Sequence, residues 1–259
     1  MIDFAIRVAQ DAGRLLRDRV GTTIDIGHKG TNIDLVTDVD LASERLIREA
    51  IASHYPRHQV LGEEGGLADS SSDYRWVVDP LDGTTNFAHG LPLFAVSIAL
   101  EYQGETIIGV VYDPMRDELF AAERGAGATL NRRPIRVSKT AELSRSLLST
   151  GFPYDIRTSS LNNLDHWRNF AMNAQALRRI GSAALDLCYV AAGRFDGFWE
   201  LNLGAWDSAA GALIVAEAGG QVTDFSGKLF SKYKPEILAS NGLIHSQMIG
   251  VLAMARPGA

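Results

Sequence analysis

The stretch Trp76-Val77-Val78-Asp79-Pro80-Leu81-Asp82-Gly83-Thr84-Thr85-Asn86-Phe87 constrains the chain more than any other. Its apolar start reads as the end of a buried strand. That strand delivers two carboxylates three residues apart, Asp79 and Asp82. Pro80 between them has a fixed φ and no N–H to donate, so the strand is expected to stop there. Gly83 permits a tight turn and a close approach to a ligand. Thr84 and Thr85 stand where a helix can begin, and the free N–H groups of a helix start suit an anion. Acid pair, glycine, hydroxyls and N–H donors together describe a place where metal ions meet a phosphate. Asp-Pro and Asp-Gly are equally ordinary turn dipeptides. The rest of the chain has to choose between a metal site and a plain turn.

With 259 residues there is enough chain for one large core or two closely packed halves. Hydrophobic residues make up 46% and charged residues 22%, the balance of a soluble globular protein. The net charge is −6 and the basic runs Arg132-Arg133 and Arg178-Arg179 are only pairs. Nucleic acid is therefore disfavoured as the main partner. A single cysteine, Cys188, excludes an internal disulfide and a cysteine-rich zinc site. The first residues carry charges throughout, unlike a signal peptide, and no apolar run is long enough to span a membrane. A cytoplasmic protein without membrane contact is expected.

Apolar positions Ile2, Ile6, Ala9, Leu15 and Leu16 predict an amphipathic helix over 2–19. Residues 22–28 alternate like a strand, and Lys29-Gly30-Thr31-Asn32 reads as a loop. Thr37-Asp38-Val39-Asp40 reads as a helix N-terminus, with Thr37 or Asp38 as the cap and acids suited to the dipole. Pro56 closes that segment. The short strand Val60-Leu61-Gly62 then brings Glu63 and Glu64 to its end, before two glycines. By itself such a pair also suits a solvated acidic loop. Strands over 95–101, 105–112 and 119–123 form an antiparallel meander. After about residue 141 strands and helices alternate: strand 147–150, helix 159–173, strand 176–180, helix 181–192, strand 194–200 and helix 206–218. Strands near 221–225 and 236–239 and a helix from 243 complete the chain. Nothing repeats and no linker-like composition intervenes. The expectation is one catalytic domain over 1–259, with halves of about 1–140 and 141–259.

Two patterns point elsewhere and have to be weighed. Cys188 and Arg194 have the spacing of cysteine-dependent phosphatases, but Cys188 lies inside an apolar run that reads as helix, whose N–H groups are already used. A buried structural cysteine is the better reading. Asp38 and Asp40 resemble the nucleophile motif of haloacid-dehalogenase-type phosphatases. They open a charged amphipathic helix instead of ending a buried strand.

Gly62-Glu63-Glu64, the Asp79-to-Asn86 stretch, Trp206-Asp207-Ser208-Ala209-Ala210-Gly211 and Glu217-Ala218-Gly219-Gly220 line up in order. Together they resemble the inositol monophosphatase family of magnesium-dependent, lithium-sensitive phosphatases. The resemblance runs from Lys29 to Gly220, with no departure at a metal-ligand position. It implies an α+β layered sandwich of alternating helix and sheet layers, shared with fructose-1,6-bisphosphatase, and commonly a homodimer. It also implies two to three Mg2+ ions per site. Glu63, Asp79 and the Leu81 carbonyl would hold the first, Asp79, Asp82 and Asp207 the second, and Glu63 would border a third. Thr84 would orient the attacking water with Asp40 nearby, and Glu63 would share in catalysis. Gly83 and Thr84 would hold the phosphate through their N–H groups. Ala183 and Glu200 would line the alcohol pocket, with Asp82 and Asp207 at its edge and Lys29 and Glu64 close to the metals.

The chemistry fits these residue types. Carboxylates from distant segments repel at close range unless cations resolve the conflict, and all-oxygen ligands favour magnesium over zinc. Two metals about 4 Å apart clamp an in-line displacement at phosphorus. The expected substrate is a small phosphorylated polyol or sugar, inositol monophosphate foremost. Fructose 1,6-bisphosphate, histidinol phosphate, NADP and a 3′-phosphonucleotide are the alternatives within the same reaction. A regulatory or interaction protein on the same fold is the alternative class.

Overall fold

The computed structural model describes residues 1–29, 34–67 and 72–254. In chain order the elements are α1 (Ile2–Arg19), β1 (Ile26–His28), β2 (Leu35–Thr37), α2 (Asp38–His54), β3 (Gln59–Gly62), β4 (Gly66–Leu67), β5 (Tyr74–Asp82), α3 (Thr84–Ala88), β6 (Ala95–Tyr102) and β7 (Glu105–Asp113). They continue with β8 (Glu118–Glu123), β9 (Gly127–Leu130), β10 (Arg133–Pro134), β11 (Leu147–Thr150), α4 (Leu164–Asn173), β12 (Ala176–Arg178) and α5 (Ala183–Ala191). The last are β13 (Gly197–Leu201), α6 (Ala205–Glu217), β14 (Gln221–Thr223), β15 (Glu236–Ser240) and α7 (His245–Leu252).

Two large sheets carry the molecule. One has eight strands in the order β10-β9-β8-β7-β6-β5-β3-β4, and the other five in the order β12-β11-β13-β15-β14. Period-2 alternation sends Trp76 and Val78 to one face of the first sheet and Val77 to the other. The Trp76 face packs on α1 and α2 through Phe4, Val8, Leu16, Ile47 and Ile51. The Val77 face packs on α5 and α6, whose far side meets Phe198, Ile237 and Ala239 of the second sheet. Beyond that sheet, Phe170 of α4 and Met248 of α7 cover Trp199 and Leu238. The result is the layered α+β sandwich expected from the sequence. It explains two composition signals: β5 to β7 are almost continuously apolar because both faces are covered, and α5 and α6 are apolar all round because they lie between sheets.

Several elements differ from their sequence reading, each for a local reason. The strand does not stop at Pro80 but runs to Asp82. Its register against β6 shifts between Asp79 and Asp82, and this bulge accommodates a residue without an N–H. The first short strand is only Ile26–His28, since Thr22 turns back onto the Arg19 carbonyl and Asp25 is engaged by Asp38. The helix expected from 159 begins at Leu164. Asn163 before it is tied to the Gly151 carbonyl at 2.7 Å and accepts the Trp199 indole N–H at 2.8 Å. The strand expected over 194–200 is Gly197–Leu201, because the Arg194 and Phe195 N–H groups close α5 on the Tyr189 carbonyl. That expected over 176–180 ends at Arg178, the Ile180 carbonyl being taken by Asn86. In the loop read at 29–32, residues 30–32 lie outside the described residues. Among the described residues, no helix is long and apolar enough to cross a membrane.

His245 at the start of α7 provides a test of this packing. It is 2% exposed, between Thr223 Oγ1 at 2.9 Å and Ser240 Oγ at 2.8 Å. Thr223 already donates its hydroxyl proton to the Asp224 carbonyl. It therefore accepts from the imidazole, and Ser240 donates to it, which fixes a neutral ring. Burial lowers the His245 pKa to about 4. The unfolded chain then takes up a proton near pH 6.5 that the folded chain refuses. This contribution to stability is present above pH 6.5 and lost as pH falls towards 4, about 3 kcal/mol in all. Urea unfolding of the wild type and His245→Asn from pH 7.5 to 4.5 should show the wild type losing stability faster. Parallel curves would remove His245 from the acid response.

Candidate metal and phosphate site

The site grows from the carboxyl ends of two parallel strands. β3 and β5 pair with Gly62 opposite Val78, so the next residues, Glu63 and Asp79, emerge side by side. The Glu63 N–H bonds the Val78 carbonyl at 3.2 Å, and the two carboxyl side chains share a hydrogen bond. Asp79 is 1% exposed, and its Oδ1 accepts the Leu81 N–H at 3.0 Å. After the bulge, Asp82 points to the start of α5. Its Oδ2 accepts from Ser182 Oγ at 2.5 Å and from the Ala184 N–H at 2.7 Å. Ser182 is also the α5 cap. Asp207 sits in the first turn of α6, fixed by the Gly204 N–H at 2.6 Å.

Carboxylate oxygens of Asp79, Asp82 and Asp207 all lie within 4.8 Å of one another. Two elements, β5 and α6, therefore bring acids from opposite halves of the chain to one point. The electrostatics show the conflict. Burial, then Glu63, Asp82 and Asp207, push the Asp79 carboxyl well up. Asp207 is raised by burial and then by Glu63 and Asp82. Burial lifts Asp82 to about 6 against the pull of Ser182 and Ala184. Glu63 is lifted to about 7 by burial despite Lys29. Lys29 Nζ bridges the acidic pair, 2.7 Å from Glu63 Oε1 and bonded to Glu64 Oε1.

Behind these acids lies a second group. Asp40 is fully buried, with Oδ2 held by the Thr37 N–H and hydroxyl in a capping box. Its Oδ1 is 3.0 Å from Thr84 Oγ1, which is also 3.1 Å from the Leu81 carbonyl. Gly83, at φ 99°, turns β5 into α3. A Cβ there would lie 3.0 Å from the Leu93 carbonyl and 3.2 Å from that of Gly181, so only glycine fits the turn. Asp38, by contrast, points outward to Arg19 at 2.7 Å. Cys188 is buried mid-helix and its thiol pKa is raised by burial. Neither sequence decoy reaches the acids as a nucleophile.

A cavity opens beside Asp82, Gly83 and Asp207 and is also lined by Ala183 and Glu200. Of the expected residues, Asp82, Gly83, Ala183, Glu200 and Asp207 line this space, while Glu63, Asp79 and Thr84 do not; Thr85 lines it instead of Thr84. Sequence reading missed three supports. Asn86 donates to the Leu93 and Ile180 carbonyls at 2.7 Å each and ties α3 to the turn before α5. Ser43 donates to the Pro80 carbonyl at 2.9 Å. Glu44, 3% exposed, accepts the N–H groups of Glu64 and Gly65 at 2.8 Å each. The polar residue just before the apolar α5 run signals Ser182 as a cap. Glu44 and Arg48 read only as a helix-surface ion pair four residues apart, because their target is distant in sequence.

Comparisons with known proteins agree over almost the whole length. The sequence profile of the inositol monophosphatase family matches residues 1–256. Nus factor SuhB of Pseudomonas aeruginosa is 48% identical over 93% of this chain and 91% of its own. The chloroplastic phosphatase IMPL1 of Arabidopsis thaliana is 43% identical over 95% of this chain and 68% of its own. The solved inositol monophosphatase of Anabaena superposes with a TM-score of 0.90 at 43% identity, covering 99% of this chain and 96% of that one. The chain belongs to the inositol monophosphatase family.

Proposed function

We propose that the protein hydrolyses a small phosphate monoester, inositol monophosphate foremost, with magnesium held by Glu63, Asp79, the Leu81 carbonyl, Asp82 and Asp207. The observation that carries this reading is the convergence of buried Asp79 and Asp82 with half-buried Asp207 beside a cavity. The donor set fits the ion: every side chain in the group is a carboxylate, as hard divalent cations require, and burial, joined at Asp79 and Asp207 by the neighbouring acids, raises the carboxyls until a cation relieves them. Bound magnesium supplies the charge that activates water and stabilises the leaving alkoxide. The chain's own residues do the rest. Thr84, donating to Asp40, keeps a lone pair to align the attacking water. Gly83 and Thr84 present N–H groups to the phosphate. Ser182 and the Ala184 N–H hold one Asp82 oxygen in place. Ala183 and Glu200 border the alcohol part.

The name phosphatase borne by the Arabidopsis relative supports the reaction. Assay of the purified protein with inositol 1-phosphate tests it. Chelation should abolish turnover, magnesium should restore it, and Cys188→Ser should retain it. Full activity after exhaustive chelation would refute the metal reading. The name Nus factor borne by the Pseudomonas relative favours an additional interaction role on the same fold. A homodimer and lithium sensitivity carry over from the family resemblance.

A further inference from the structure

Beside Glu200, in and behind the wall of the same cavity, stand two polar groups that the reading above leaves unused, Asp186 and Ser149. Ser149 ends up on β11, Asp186 on α5 and Glu200 on β13, with exposures of 0%, 1% and 8%. Asp186 and Glu200 both line the cavity. Asp186 and Ser149 lie against each other, and among the described residues Asp186 Oδ1 and Ser149 Oγ find no further hydrogen-bond partner. Buried polar atoms are rarely left unpaired, because desolvation without a partner is costly. A carboxyl is conspicuous here, since every other residue of α5 is apolar but for the Tyr189 hydroxyl and the Cys188 thiol.

Gly151 adds a second observation. A Cβ built on it would lie 2.0 Å from Glu200 Oε1. The Glu200 carboxylate therefore rests directly over bare backbone, and the end of β11 is kept clear for it. Burial raises both carboxyls, with Asp82 adding to Asp186 and Asp186 adding to Glu200. Two carboxyl groups thus border one space from two elements, α5 and β13, with the Ser149 hydroxyl beside Asp186. A ligand offering adjacent hydroxyls satisfies such a wall; a flat aryl group leaves it unpaired.

We propose that Asp186, backed by Ser149, is a specificity-determining residue that hydrogen-bonds a second hydroxyl of the substrate alcohol beside the one Glu200 meets. The inference rests on the phosphatase reading and names what selects a polyol within it. Removing one such bond is worth about ten- to a hundredfold in kcat/KM.

The test compares inositol 1-phosphate with phenyl phosphate, which has no hydroxyl to offer. Asp186→Ala should lower kcat/KM for inositol 1-phosphate at least about tenfold more than for phenyl phosphate, with the difference mainly in KM. Asp186→Asn, which retains a donor and an acceptor, should recover part of that selectivity. Ser149→Ala should shift the ratio in the same direction by less, and it carries the test if Asp186→Ala does not fold. Equal losses on both substrates in every variant, the behaviour of a structural group satisfied by buried water, would overturn the proposal. So would an unchanged ratio. A wild type that turns over neither substrate would bring down the phosphatase reading and this inference with it.

Discussion

Asp79→Asn is expected to reduce phosphatase turnover by on the order of a thousandfold or more, while leaving the metal-free fold at least as stable as the wild type. Asp79 stands where β5 and β3 meet, in hydrogen-bond contact with Glu63 and in the cluster with Asp82 and Asp207. In the proposed site it is the ligand common to two ions, and such ions contribute several kcal/mol to charge stabilisation in the transition state. Without metal, the same position concentrates repulsion. Burial and three neighbouring acids all act against the Asp79 charge. The amide keeps the oxygen that accepts the Leu81 N–H and removes the charge. A gain of about 1 kcal/mol is reasonable, which for a chain of this size raises Tm by roughly 2–4 °C. Differential scanning calorimetry under chelation, paired with turnover in magnesium, measures both. A variant with normal turnover would refute the ligand assignment. One that is inactive because it no longer folds would refute the account of the repulsion.

The second large effect is expected at Glu44, which touches no substrate. Its carboxylate accepts the N–H groups of both Glu64 and Gly65 and takes the Arg48 Nε–H at 2.6 Å. Arg48 in turn donates to the Gly66 carbonyl at 2.7 Å. Together the pair clamps residues 63–66 from α2. The fit is close: a Cβ at Gly62 would lie 2.5 Å from Glu44 Oε1, and one at Gly65 2.6 Å. Glu44→Ala leaves two N–H groups and the Arg48 Nε–H unpaired and frees the segment that carries Glu63. Outer supports of metal ligands cost about 10- to 100-fold in metal affinity when removed. Half-saturating magnesium should therefore rise by that factor. Calorimetric titration of magnesium into the variant, without substrate, should show the same weakening. Glu44→Gln should fall between, since one amide oxygen still accepts. A large loss of kcat at saturating magnesium with unaltered affinity would contradict the clamp.

Much of this protein is written locally. The 3.6-residue spacing of Ile2, Ala9 and Leu16 and the Thr37 cap specify α1 and the start of α2 without help from the rest of the chain, because both signals act within a turn or two. The Asp79-to-Asn86 stretch likewise announces its acids, its glycine turn and the short helix after it. Local patterns failed where a distant partner claims a backbone group. Asn163 answers to Trp199 and Gly151, so α4 starts late. Pro80 sits in a bulge defined by β6, so β5 runs on.

Which acids share one space is a tertiary matter. Glu63 meets Asp79 through the register of two parallel strands, and Asp207 joins them only because α6 packs between the sheets. The polar groups behind the site are less legible still. Glu44 looks like half of a surface ion pair, and Asp186 like an intrusion in an apolar helix. Sequence spacing reports what a residue does to its own helix or strand. The partner of a buried carboxylate is set by other elements of the fold, 20 residues away for Glu44 and 100 for Asp82, and only packing brings them within hydrogen-bonding distance.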